Sequence, residues 1–281
     1  GFNIRCNGGN DGYIEVTAAG GVGNYTFTLG GAAVAVQTQP GAVYRFNNLA
    51  AGAYTVDVAD GNGCTLVATL NVTLTEPVLL TASGVVSSNY NGSEVSCFGA
   101  SDGAITITAA GGSGGNSYVL NELPANVSGA ASGVFTGLAA GSYTVTVTNN
   151  NSCSVTTTSV VIDNPPALGV SISKTDISCN GLGDGAVSGV ATGGTGAYGY
   201  VLQTGAGVAT GNVTGSVSGV FTGLSAGTYR IVASDANGCS VISGNVTVVD
   251  PVQVTAATST SLYNGFNIRC NGGNDGYIEV T

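Results

Sequence analysis

The seven cysteines are the side chains of this 281-residue sequence best able to do chemistry, and their spacing is regular. Cys6, Cys97, Cys179 and Cys270 each open a similar stretch, CNGGNDGYIEV, CFGASDGAITI, CNGLGDGAVSG and CNGGNDGYIEV again, at intervals of 91, 82 and 91 residues. The other three, Cys64, Cys153 and Cys239, each close a second recurring segment: NNLAAGAYTVDVADGNGC, TGLAAGSYTVTVTNNNSC and TGLSAGTYRIVASDANGC. Thiols placed this way either bond one another or hold a metal. Metal binding by thiolates takes clustered ligands such as C-x-x-C, or accompanying histidine, and the sequence has neither. Within a unit the early and late cysteines lie 58, 56 and 60 residues apart. This predicts one disulfide per unit, Cys6–Cys64, Cys97–Cys153 and Cys179–Cys239, with the partner of Cys270 beyond residue 281. Such bonds belong outside the reducing cytosol, and on the chain-entropy account each loop contributes about 4 kcal/mol.

Carboxylates are the remaining chemical resource. Asp11, Asp102, Asp184 and Asp275 recur before glycine in an Asn-rich loop, the kind of position that in extracellular modules supplies a weak Ca²⁺ site. Calcium takes six to eight oxygens and each loop offers one carboxylate, so the expected role is structural, an Asx turn capping the loop, with no metal. Catalysis has little to draw on. There is no histidine, only 7% of residues are charged, and no unit repeats a second acid beside the first, so no enzyme activity is expected and no catalytic residue or cofactor is assigned. A net charge of −10 disfavours nucleic acid and anionic membranes. No apolar run reaches the roughly 20 residues of a membrane helix, so no membrane insertion is expected of this segment. Lys174 is the sole lysine, which excludes a repeated Lys–Asn isopeptide cross-link.

These residues must be positioned by repeats. GFNIRCNGGNDGYIEVT occupies both 1–17 and 265–281, an offset of 264 residues, and three units of about 88 residues fill that period. Alternation in Tyr54, Val56, Val58, in Tyr143, Val145, Val147 and in Tyr229, Ile231, Ala233 predicts half-buried strands. Ile14 and Val16, and Ile105 and Ile107, do the same after the early cysteine. Asp60-Gly61-Asn62-Gly63 and Asp235-Ala236-Asn237-Gly238 predict tight turns, and Glu76-Pro77, Asn164-Pro165-Pro166 and Asp250-Pro251 predict stiff junctions. The fold expected is all-β: tandem immunoglobulin-like β-sandwich domains, one disulfide each, arranged end to end. Tyr54, Tyr143 and Tyr229 are the expected corner tyrosines, each bonding nearby backbone. The domains expected are 1–78, 79–166 and 167–252, with 253–281 leading the next repeat. Because the Tyr263-Asn264-Gly265 run parallels Tyr90-Asn91-Gly92, residues 253–264 should supply that repeat's leading strand, which the first unit lacks and a preceding period would provide.

The ordered pattern C-x-G-x-x-D-G-x-I, Gly-Gly then Tyr, L-A-A-G-x-Y-x-V-x-V, D-x-N-G-C and a closing Pro resembles the repeat of the SprB-type gliding-motility adhesins of Bacteroidota. The resemblance covers 4–77, 95–166 and 177–251, with a fourth start at 268–281. The second unit departs from it at Asn149-Asn150-Asn151-Ser152. The third departs at Val187-Ser188-Gly189, expected to be a weaker strand. The resemblance implies a very large secreted cell-surface protein, exported by the type IX pathway and displayed as a filament that grips surfaces or polysaccharide during gliding.

The function expected is therefore a structural repeat segment of an extracellular cell-surface filament or adhesin, giving reach and tensile strength. Its partners would be neighbouring copies of the same repeat and surface polysaccharide. The alternatives are a carbohydrate-binding module, which the absence of Trp weakens, and a non-catalytic extension of a secreted enzyme. Thr144, Thr146 and Thr148 are expected on the solvent face of a strand. Seven N-x-[ST] sequons begin at Asn24, Asn71, Asn91, Asn126, Asn150, Asn212 and Asn245, a number that the Asn/Ser/Thr-rich composition accounts for.

Overall fold

The computed structural model describes residues 2–262 and 264–281; Gly1 and the Tyr263 of the Tyr-Asn-Gly run lie outside them. The described residues form strands and turns with no helix. The first repeat contains β1 (Gly12–Thr17), β2 (Tyr25–Gly31), β3 (Ala35–Gln39), β4 (Val43–Leu49), β5 (Gly52–Ala59) and β6 (Leu70–Leu74). The second contains β7 (Thr81–Val86), β8 (Gly103–Ala110), β9 (Ser117–Leu120), β10 (Val134–Leu138), β11 (Gly141–Tyr143), β12 (Val145–Thr148), β13 (Ser154–Thr156) and β14 (Val160–Ile162). The third contains β15 (Gly169–Thr175), β16 (Gly185–Thr192), β17 (Gly199–Thr204), β18 (Val220–Leu224), β19 (Gly227–Ser234), β20 (Ser240–Ile242) and β21 (Val246–Val248). A last pair, β22 (Thr258–Thr260) and β23 (Ile278–Val280), follows.

Each repeat is two antiparallel sheets around its own core. In the second, β7-β8-β10 makes one sheet, while β9-β12-β13 and β11-β14 make the other. In the third the corresponding sheets are β15-β16-β18 and β17-β19-β20, with β21 also on β19. In both, the leading, second and fourth strands make one face and the third strand joins the later strands on the other, a two-sheet immunoglobulin-like sandwich. The first repeat has β1-β4 opposite β3-β2-β5-β6. There β1 pairs with β4 alone, whereas β8 and β16 are each also paired by a leading strand, β7 or β15.

Alternation explains the burial. Tyr54, Val56 and Val58 on β5 face Ile14 and Val16 on β1, and Val145 and Val147 face Ile105 and Ile107, with intervening residues turned outward. Phe46, Phe135 and Phe221 fill the centres of the three cores and are 4, 0 and 0% exposed. The Val187-Ser188-Gly189 stretch, expected to be weak, lies in the eight-residue β16, which is paired on both edges. The missing side chain at Gly189 leaves room for Ile231, whose Cδ1 would lie 2.7 Å from a Cβ placed there. A compact unit ends at Asn164 and a second begins at Pro165.

Candidate functional site: a disulfide-locked junction

Three small devices in every repeat prepare its ends. In the early loop, Asp11, Asp102, Asp184 and Asp275 each accept a hydrogen bond from the backbone N–H six residues earlier, that of Arg5, Ser96, Ser178 or Arg269, at 2.9–3.2 Å. The carboxylate thus closes the loop itself. Among the described residues no group of three His, Cys, Asp or Glu is placed to hold a metal. In the three repeats the glycine after the aspartate is required by close approach: a Cβ at Gly12, Gly103 or Gly185 would stand 2.8–2.9 Å from the carbonyl oxygen of Leu49, Leu138 or Leu224.

The closed loop then docks on the end of its own repeat. Asn7 Nδ2 and the Gly8 N–H both donate to the Glu76 carboxylate. Gly99 N–H donates to Asn164 Oδ1, and Gly181 N–H to Asp250 Oδ1, both at 3.0 Å. The sequence reading took these residues only as markers before a junction proline. Their shared acceptor chemistry, Glu, Asn and Asp at matching positions, was the signal that they receive N–H groups.

At the late turn, Asp60 Oδ1 accepts from the N–H groups of Asn62 and Cys64 while Oδ2 accepts from Val22 N–H. Asp235 repeats this with Asn237, Cys239 and Thr195. Asn149 accepts from Asn151 and Cys153 through Oδ1, but its Nδ2 is buried without a partner. An amide nitrogen cannot accept where the carboxylates do. Asn149→Asp is therefore expected to stabilise the protein by about 1 kcal/mol at neutral pH, read as a higher urea midpoint, because a second oxygen replaces an unsatisfied donor. An unchanged or lower midpoint refutes this.

Hydrogen bonding also depresses several carboxyl groups. Asp60 is lowered chiefly by the N–H of Cys64 and then that of Val22, and Asp184 by the Ser178 hydroxyl and N–H. Burial pushes Asp102 up, but the bonds from Ser96 outweigh it and the net shift is downward. A folded-state pKa below the unfolded value contributes stability that is present above the unfolded value, about 3.9, and lost as pH falls through the lower folded one. Denaturant midpoints should accordingly hold near neutrality and fall below about pH 4. A midpoint that holds level into stronger acid contradicts the assignment.

The corner tyrosines bond backbone four residues back: Tyr54 Oη donates to Ala50 O, Tyr143 to Ala139 O and Tyr229 to Ser225 O, at 2.9–3.0 Å. The threonine hydroxyls of the second repeat are engaged as well. Thr144 donates to Glu122, and Thr146 bonds Asn121 and Thr156, and all three residues of the row are half-buried.

The disulfides correct the sequence reading. Cys6 bonds Cys153 of the next repeat, with Cα atoms 5.7 Å apart and a sequence separation of 147. Cys64, Cys179 and Cys270 are free thiols, so neither Cys6–Cys64, Cys97–Cys153 nor Cys179–Cys239 forms. Cys97 and Cys239 are also disulfide-bonded. The physical reason is the length of a strand. The early loop sits at the start of β5, where Ile4 N–H donates to Thr75 O and Gly52 pairs with Leu74. Cys64 lies past the other end, beside the Ala59–Thr65 bridge. Eight residues of strand separate the two ends by about 27 Å, whereas a disulfide takes Cα atoms within about 7 Å.

The end of the second repeat that carries Cys153 is turned to the first. Gly112 N–H donates to Val78 O at 2.8 Å, and Asn151 Nδ2 to Arg5 O at 3.0 Å. The early loop of one repeat and the late turn of the next thus meet at one seam, and the covalent bond closes it.

This molecule is a set of tandem immunoglobulin-like sandwiches, the first two of them joined through their loops by a disulfide. The family model of the SprB repeat matches residues 3–34, 89–124 and 171–207. No curated protein matches the chain in sequence. Among solved structures it is similar to that titled for a 1.5-MDa bacterial ice-binding adhesin and its retention at the host cell surface, at 18% identity over 85% of this chain and 90% of that one, with a TM-score of 0.39. It is similar to the N-terminal eight Ig domains of the Down syndrome cell adhesion molecule at 12% identity, covering 84% of this chain, with a TM-score of 0.32. This chain spans about a third of that one, 34%. The C-terminal fragment of intimin, solved with the intimin-binding domain of its translocated receptor, is similar at 15% identity over 58% of this chain and 60% of that one, with a TM-score of 0.32.

Proposed function

We propose that the chain is a non-catalytic segment of a long secreted cell-surface filament or adhesin, in which its repeats supply reach and resistance to tension. The observation that carries this reading is the Cys6–Cys153 bond, which ties two successive sandwiches. The division into 1–78, 79–166 and 167–252 with a following start at 253–281 is part of it. β23 repeats Ile14-Glu15-Val16 of β1 and is paired along its edge by β22, with Thr258 opposite Val280. Ser261 Oγ accepts the Tyr277 N–H just as Ser88 Oγ accepts that of Ala104, which supports residues 253–262 as the leading strand of a further repeat. Gliding, type IX export and grip on polysaccharide are the finer form of the proposal. Antibodies raised against the chain should label intact cells of the source organism, and labelling only after lysis would sink the reading.

A further inference from the structure

Bonded and free cysteines sort by position. The early cysteines Cys6 and Cys97 and the late cysteines Cys153 and Cys239 are bonded. Those left free are the late cysteine of the first repeat, Cys64, and the early cysteines of the third and of the further start, Cys179 and Cys270; all three are exposed. If each early cysteine bonds the late cysteine of the following repeat, as Cys6 does, these are the thiols whose mates fall outside residues 1–281.

We infer that Cys64 and Cys179 are the two halves of one inter-repeat disulfide, made with a second copy of this 264-residue period, so that Cys179 bonds the copy of Cys64 that follows it. Shifting the sequence by 264 lays residues 1–17 on 265–281 and puts that copy at a separation of 149 from Cys179, against 147 in the bond observed. The surfaces around both thiols fit such a seam. In the second and third repeats the glycine turn beside the late cysteine is covered by the chain that enters the repeat: Gly112 N–H donates to Val78 O and Gly194 N–H to Pro166 O, each at 2.8 Å, and Leu80 is buried. The preceding glycines, Gly111 and Gly193, are covered too, a Cβ there colliding with the Leu79 and Ala167 carbonyl oxygens, whereas in the first repeat the matching Gly20 faces open space, and a groove of about 240 Å³ lined by Val16, Tyr25, Asp60, Cys64 and Leu66 stands there. The segment that would cover it in the next copy is Val252-Gln253-Val254, where Val252 and Val254 are 93 and 94% exposed. Val254 occupies the position of the buried Leu80, three residues past the junction proline.

The bond forms by thiol–disulfide exchange with a small-molecule disulfide such as oxidised glutathione: the two thiols give up two protons and two electrons, one S–S bond forms, and the oxidant's S–S bond becomes two thiols. The inference rests on the reading of the chain as a repeat segment. Its test is a protein of residues 1–264 followed by residues 1–281, folded in a glutathione buffer, alkylated with iodoacetamide and mapped without reduction by mass spectrometry. The expected result is a peptide pair joining Cys179 of the first copy to Cys64 of the second, with Cys64 of the first copy and Cys179 of the second alkylated. Cys64→Ser in the second copy should expose Cys179 of the first to alkylation and leave both Cys6–Cys153 bonds intact. Alkylation of Cys179 in the unsubstituted protein, with both Cys6–Cys153 bonds present, overturns the inference and leaves the repeat reading standing. Loss of the Cys6–Cys153 bonds themselves overturns both.

Discussion

Reducing the Cys6–Cys153 bond should lengthen the chain's extension under force by about 500 Å, the reach of the 147 residues it spans at roughly 3.4 Å each. While the bond is intact, tension arriving at Cys6 crosses to Cys153 through sulfur, and the backbone between them bears no load. Both the first and second cores lie largely inside this bypassed stretch. The clean measurement is single-molecule force spectroscopy on a Cys97→Ser/Cys239→Ser chain, in which no other disulfide shares the load, pulled from its ends with and without reductant. Equal contour lengths in the two conditions would show that the bond does not join these repeats. Had the bonds lain within repeats, as spacing alone suggested, the hidden stretch would be near 58 residues, about 200 Å, so the two topologies are readily told apart.

Phe135→Ala should cost about 3–5 kcal/mol, the range for emptying a fully buried aromatic site. Phe135 is 0% exposed, on β10 opposite Ile105, and its ring lies 2.7 Å from where a Cβ on Gly129 would stand. The loop that crosses it is thus packed too closely to fall in and refill the space. Val134, the adjacent residue, is 38% exposed, and truncating it to Ala should change stability by less than about 0.5 kcal/mol. Guanidinium midpoints of the two variants measure the contrast. A Phe135→Ala midpoint close to the parent's would mean that the second core is not organised around this ring. Because Cys6–Cys153 is covalent, the variant should still yield that peptide pair after unfolding and digestion.

What the sequence made legible was local. Tyr54, Val56 and Val58 declared a strand by alternation, and Asp60-Gly61-Asn62-Gly63 a turn. The architecture followed, because strand period and turn residues are decided within a few positions of the chain. The phenylalanines at 46, 135 and 221, each three residues before a leucine, were not singled out from the sequence, because their centrality depends on what faces them across the sandwich. Cysteine pairing was not legible. Counting residues orders Cys6 and Cys64 along the chain without saying that β5 holds them at opposite ends of the repeat. The departure at Asn149 shows the same division: the sequence marks the substitution, and only the packed turn reveals a buried amide nitrogen with nothing to bond.

A staple that skips from one repeat into the next also changes what a protease can do. A single cut anywhere between Cys6 and Cys153 leaves the two fragments covalently attached, so an exposed loop nicked in either sandwich does not sever the strand. Damage of that kind would be silent on a non-reducing gel and would appear only after thiol treatment. For a cell-surface filament of the kind proposed, survival after being cut matters as much as resistance to being cut.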